Sequence, residues 1–98
     1  MVYKIIISPR AQKEIEEAID YYAIRSSDAP MDFISSLNET YNILSVNPHF
    51  RIYYKNVRSI GLNVFPYSLF YTINEKKHTI SLLSCSHYKL DPQRRPKK

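Results

Sequence analysis

The sequence predicts an α+β domain: an N-terminal strand, then an antiparallel helical hairpin packed on an antiparallel β-sheet, in the order β-α-α-β-β-β-β. Three observations predict it. Apolar residues recur at helical spacing through the first half and alternate from Arg51 onward. The two helical segments are joined by so few residues that they must lie antiparallel. The later β-runs have connections too short for crossovers, so they pair antiparallel.

Val2 to Ile7 is β-branched and aromatic, with Tyr3, Ile5 and Ile7 on one face and Lys4 and Ile6 on the other. Apolar residues on both faces predict an interior strand. Ser8 followed by Pro9 is a helix start, a hydroxyl cap and a proline at the first helical position. Ala11, Ile15, Ala18, Ile19 and Tyr22 form the apolar stripe of this first helix, which ends near Arg25. Its acidic residues, Glu14, Glu16, Glu17 and Asp20, read as a solvated face. Asp28 or a neighbour caps a second helix with Pro30 in its first turn, and Phe33, Ile34, Leu37, Tyr41 and Leu44 supply its stripe. Asn47–Pro48 stops it, because the residue before proline disfavours the helical region.

Arg51 to Tyr54 is a short peripheral strand turned by Lys55 and Asn56. The stretch from Val57 to His87 organises the rest, as three β-runs split at Phe65–Pro66–Tyr67 and at Asn74 to Lys77. It holds the only glycine and the only cysteine. Gly61 inside a strand predicts a bulge or a close backbone approach. Residues 1–90 form one domain, and residues 91–98 form a basic tail without periodicity, expected to be flexible.

Composition narrows the function classes. The 44% apolar and 23% charged shares are those of a globular chain and exclude a disordered one. The single Cys85 excludes an internal disulfide and a cysteine-based zinc site, and its apolar surroundings mark it as a small buried hydrophobe. No run of about eighteen apolar residues occurs, so no membrane span is expected. The N-terminus lacks the features of a secretory signal, and the expected location is cytoplasmic. A net charge of +5, concentrated in the second half, is compatible with nucleic acid or an acidic protein segment as partner and equally with simple solubility.

No short motif carries chemistry alone. A phosphate-cradling loop is excluded by the single glycine, and metalloprotease and serine-hydrolase signatures are absent. His49, His78 and His87 fall on separate elements, so neither a metal nor another cofactor is expected. Of the titratable groups, His87 at the end of the last strand stands out, followed by Tyr88 and Lys89 and with Arg58 on a nearby strand. A histidine, a tyrosine and cations could cleave a phosphodiester, the histidine moving protons and the cations stabilising charge on the phosphorus oxygens. The plainer reading gives His87 a backbone hydrogen bond at a strand end, and makes Arg51, Lys55 and Arg58 a solvated edge that blocks strand addition.

The opening strand ending I-S-P-R-A, a helix carrying D-Y-Y, the V-R-S-I-G-L-N-V-F-P-Y-S-L-F-Y-T-I meander and the closing S-L-L-S-C-S-H-Y-K-L-D-P together resemble the RelE/ParE toxin superfamily over essentially the whole chain. The resemblance implies the toxin of a type II toxin–antitoxin pair, of the kind once called plasmid stabilisation proteins. It implies hetero-oligomerisation with a cognate antitoxin whose acidic segment meets the basic half. In ParE-like members the target is DNA gyrase; RelE-like members are ribosome-dependent, metal-independent endoribonucleases acting on mRNA. The long helical hairpin is similar to ParE-like chains. Where the nucleases typically read Y-R-L-V-Y, this chain reads Y-S-L-F-Y, with Ser68 in place of the phosphate-contacting arginine. The resemblance therefore favours the ParE-like branch. A RelE-like ribonuclease using Arg58, His87 and Tyr88 is the alternative, and a non-toxic binding module of the same fold is a further one. Arg51, Lys55, Lys89, Arg94 and Arg95 are the candidate contacts to target or nucleic acid.

Overall fold

The computed structural model describes residues 2–87 of the 98-residue chain. The elements run β1 (Lys4–Ile7), α1 (Pro9–Arg25), α2 (Ala29–Val46), β2 (Ile52–Tyr54), β3 (Val57–Gly61), β4 (Tyr67–Asn74) and β5 (Thr79–His87). The strands form one sheet in the order β1-β5-β4-β3-β2. The predicted element order is the observed one.

Four strands make the predicted antiparallel meander, but the sheet is mixed, because β1 joins β5 in parallel with Ile5 opposite Ile80 and Ile7 opposite Leu82. The expectation of an interior β1 is overturned. Among the described residues it is an edge strand bonded to β5 alone, and Ile6 stays 48% exposed. Apolar residues on both faces mimic a doubly covered strand, yet only the helix-facing side is packed here.

Ser8 does two jobs at the β1–α1 junction. Its Oγ accepts the Ala11 N–H at 3.1 Å, capping α1, and donates to the Leu83 carbonyl at 3.1 Å, tying the helix start to β5. At the other end of α1, Arg25 donates to the Tyr21 carbonyl at 3.0 Å, with its guanidinium 3.6 Å from the Tyr21 ring centroid. Asp28 occupies the cap position of α2, but its side chain makes no capping bond. Pro30 and Asp32 fill the first turn instead, the acid suiting the helix dipole.

The core lies between the hairpin and one face of the sheet. Ala11, Ile15 and Ala18 of α1 and Phe33, Leu37 and Leu44 of α2 meet Leu69, Tyr71, Ile80, Leu82 and Cys85. At one end Tyr22, Phe33, Phe65 and Tyr67 form an aromatic cluster with mostly edge-to-face rings 5.1 to 6.2 Å apart.

Neither expectation for Gly61 holds. It pairs in register with Ser68, and an added Cβ would meet nothing nearer than the Tyr67 carbonyl oxygen at 4.0 Å. Irregularities fall elsewhere: in β5, where Leu82 opposes Tyr71 and Ser84 opposes Phe70, leaving Leu83 as the extra residue, and in β2, where the register shifts between Ile52 and Tyr54. The turns do use charged and β-branched residues, as a chain with one glycine must. Lys55, Val64 and His78 all have positive φ, 52°, 76° and 54°.

Candidate functional site

β5 ends at His87, opposite Tyr67, and the two rings lie edge to face with centroids 5.0 Å apart. Ser68, one residue along β4, pairs with Ser86 and Gly61. Because successive side chains on a strand point to opposite faces, Ser68 looks away from the Tyr67–His87 contact.

Arg58 stands elsewhere. It sits on β3 opposite Tyr71, four positions along β4 from the residue that faces His87. With about 3.3 Å per residue and 4.8 Å between strands, that is roughly 16 Å. Its Nη1 donates to the Phe50 carbonyl at 2.7 Å, while the Tyr71 hydroxyl donates to the Pro48 carbonyl at 2.7 Å. Together they clamp the connection between α2 and β2 across the end of the sheet. Burial pushes the Tyr71 hydroxyl above its ordinary value, so it stays a donor. Arg51 and Lys55 are exposed beside β2, the Lys55 Nζ lying 5.3 Å from the Tyr54 ring centroid. The structure therefore separates Arg58 from His87. Tyr88, Lys89, Arg94 and Arg95 lie outside the described residues.

Two polar clusters escaped sequence reasoning. Glu14, read as part of a solvated face, is buried. Its Oε1 accepts from Ser84 Oγ at 2.8 Å and from the Cys85 N–H at 3.0 Å, its Oε2 lies 3.5 Å from Arg10 Nε, and Ser84 Oγ in turn bonds Ser86 Oγ at 2.8 Å. A signal existed. Glu14 falls at i+3 from Ala11 and i−4 from Ala18, on the apolar stripe and not opposite it.

The second cluster joins β1 to the β4–β5 turn. Tyr3 donates to Glu75 Oε1 at 2.7 Å, His49 Nε2 is 2.7 Å from Glu75 Oε2, and the Tyr3 ring stacks on His78 with centroids 4.1 Å apart. The Tyr3 hydroxyl, then His49, holds the Glu75 carboxyl below its ordinary range, and Tyr3 is raised by the same bond. Nothing in the sequence pairs residues 3, 49 and 75. The Glu75 end of this cluster shares a pocket with Lys55 and Arg58, so two cations stand on the same side of the sheet end as its carboxylate. Among the described residues no three or more His, Cys, Asp or Glu come close enough to hold a metal ion, and no helix is long and apolar enough to cross a membrane.

A groove of about 270 Å³ opens between the first half of α2, at Asp32, Ser35 and Glu39, and the β3–β4 loop, at Asn63, Val64 and Phe65. Ser36 Oγ donates to the Asn63 carbonyl at 2.9 Å and fixes the loop to the helix.

The family model described as ParE toxin of type II toxin–antitoxin system, parDE, matches residues 5–89. No curated protein matches the chain. Among solved structures, one described as the chromosomal ParDE TA system from P. aeruginosa superposes with a TM-score of 0.73 at 14% identity, covering 87% of this chain and 95% of that one. The RelBE2 toxin–antitoxin complex from Mycobacterium tuberculosis superposes with a TM-score of 0.63 at 16% identity, covering 89% and 99%. At these identities the likeness to both structures is one of fold.

Proposed function

The chain belongs to the ParE toxin family of type II toxin–antitoxin systems, and from that premise we propose that it arrests growth by acting on DNA gyrase and is neutralised by a cognate antitoxin. The observation that carries the choice of target is the separation of Arg58 from His87. Phosphodiester cleavage without a metal needs a proton-transferring group and a cation on one phosphate, within hydrogen-bond reach of the reacting atoms. Here the cation best placed by sequence is bonded to the Phe50 carbonyl, roughly 16 Å away by strand geometry. Ser68 turns to the face opposite the His87 ring. A gyrase inhibitor needs no such convergence, only a surface that fits its target.

The antitoxin partner follows from the same family. Arg51 and Lys55 stand exposed at the β2 end, where an acidic antitoxin segment would be steered by charge. Cytoplasmic location belongs to this reading, since gyrase is there.

The test is inducible expression of the chain alone and with the neighbouring gene, followed by gyrase supercoiling and mRNA cleavage assays. Growth arrest with inhibited supercoiling and intact mRNA is the expected result. Cleaved mRNA, lost in a His87→Ala variant while supercoiling is untouched, would establish the ribonuclease in its place. Unimpaired growth would leave a binding module of the same fold.

A further inference from the structure

Val64 is β-branched, 86% exposed, and held at φ 76°. A left-handed backbone at such a residue is a true outlier, because its Cβ substituents crowd the following carbonyl. Glycine or asparagine would relieve it. No core packing compensates the strain, since the side chain projects into solvent. The loop is nonetheless firmly held, by Ser36 Oγ on the Asn63 carbonyl at 2.9 Å and by Phe65 packed on Phe33 and Tyr22. A strained, rigidly supported, solvent-facing apolar side chain is built for contact with something else.

Its surroundings say what. Across the groove from Val64 lie Asp32 and Glu39 of α2, both exposed. Met31, beside Asp32, is 65% exposed. The wall is acidic on a chain whose net charge is +5, so this end opposes the field of the whole molecule. An acidic wall repels phosphate, which excludes a nucleic acid as occupant. It likewise repels an acidic antitoxin segment. What fits is a protein surface with an apolar pocket for Val64 and lysine or arginine side chains around it.

We propose that the groove between α2 and the Asn63–Phe65 loop is the surface by which this protein engages its target, and that the target meets it with an apolar pocket ringed by basic residues. The assignment rests on the target being a protein, as in the gyrase reading. It separates two faces of the toxin: a basic one for the antitoxin and this acidic, apolar one for the target. Val64 acts as the central anchor, and Asp32 and Glu39 as the charged rim that sets orientation and association rate.

Full-length toxin binding to purified gyrase, measured by surface plasmon resonance, tests it. The variants are Val64→Gly, Asp32→Lys/Glu39→Lys, and a remote control in the exposed β4–β5 turn, Lys76→Gln/Lys77→Gln. Val64→Gly removes the anchor and the strain together, so its melting temperature should stay at or above the wild-type value while gyrase binding weakens about tenfold or more. The double reversal should weaken binding, most at low salt, and the remote control should leave it unchanged. Antitoxin should bind the Val64→Gly and double-reversal variants as it does wild type. Wild-type affinity in both groove variants would overturn the groove while leaving the gyrase reading standing. Loss of antitoxin binding with gyrase binding kept would overturn it too, by giving the groove to the antitoxin. Failure of the wild-type chain itself to bind gyrase would remove the gyrase reading, and the groove's target with it.

Discussion

Glu14 Oε1 accepts the backbone N–H of Cys85 at 3.0 Å, on the stretch of β5 that β1 no longer covers. β1 stops pairing at Leu82, so the next outward N–H on that edge would otherwise be buried without a partner. A carboxylate from α1 takes the place of the missing strand. Glu14→Ala should therefore cost about 1–3 kcal/mol, the penalty of an unsatisfied buried donor. For a domain of this size each kcal/mol lowers the melting temperature by about 4–8 °C. Glu14→Gln keeps an acceptor and should lose less. A thermal melt of the three proteins checks the order, and equal melts for wild type and Glu14→Ala would show that the bond contributes nothing.

Arg58 and Tyr71 brace the segment between α2 and β2 through the Phe50 and Pro48 carbonyls, both at 2.7 Å. Arg58→Ala should then behave as a stability variant, losing about 1.5–3 kcal/mol for a hydrogen bond to a charged donor. Inhibition of gyrase per folded molecule should be unchanged. Loss of activity in a variant whose denaturation midpoint equals that of wild type would instead give Arg58 a direct contact with the target.

The architecture was legible in the sequence because each element announces itself locally. Ser8 and Pro9 start one helix, Asn47 and Pro48 end the other, and the apolar period changes once, near Arg51. The errors have a common source in what is not local. β1 reads as interior because Ile5, Ile6 and Ile7 are equally apolar, and only the sheet order reveals that, among the described residues, no strand lies outside them. Gly61 stands out by rarity, yet the register breaks sit at Leu83 and between Ile52 and Tyr54, where a bulge leaves no mark in the sequence. Tyr3, His49 and Glu75 meet only because β1 runs beside β5. Val64 reads in the sequence as the end of the alternating β-run before Phe65–Pro66–Tyr67, but β3 ends at Gly61 and the valine stands exposed in the loop at positive φ. Tyr88, Lys89, Arg94 and Arg95 lie outside the described residues.

The Tyr3–Glu75–His49 cluster sets an acid limit. Its Glu75 carboxyl, held below the ordinary value of 4.5 by the Tyr3 hydroxyl and His49, releases its proton more readily folded than unfolded. That contribution is present above the unfolded pKa and is lost as pH falls through the folded one. Tyr3→Phe removes the largest cause of the shift. Stability measured by urea denaturation should therefore fall less steeply for Tyr3→Phe than for wild type as pH drops below about 4.5. Superimposable profiles would mean that the bond is equally available in the unfolded chain. Because Glu75 is well exposed, salt should shrink the difference.

Cys85 sets the alkaline limit and also answers whether the chain carries a reactive thiol. Burial, reinforced by the neighbouring Glu14 carboxylate, pushes its thiol from 9.0 up to about 12. Burial likewise raises the Tyr41 hydroxyl from 10.0 to about 12. Both groups hold their protons more tightly folded than unfolded. Their contribution is complete below the unfolded values and is lost as pH rises toward 12. Two outcomes follow from one cause. Native protein at pH 8 should leave Cys85 unmodified by a thiol-specific disulfide reagent, with full reaction in denaturant, since only the thiolate attacks. Melting temperature should begin to decline above about pH 9, and Cys85→Ala should show a shallower decline despite a lower starting value from the lost packing. Rapid modification of the folded chain would show that β5 opens at Cys85 without global unfolding, and would place the Glu14 bond among the first to break.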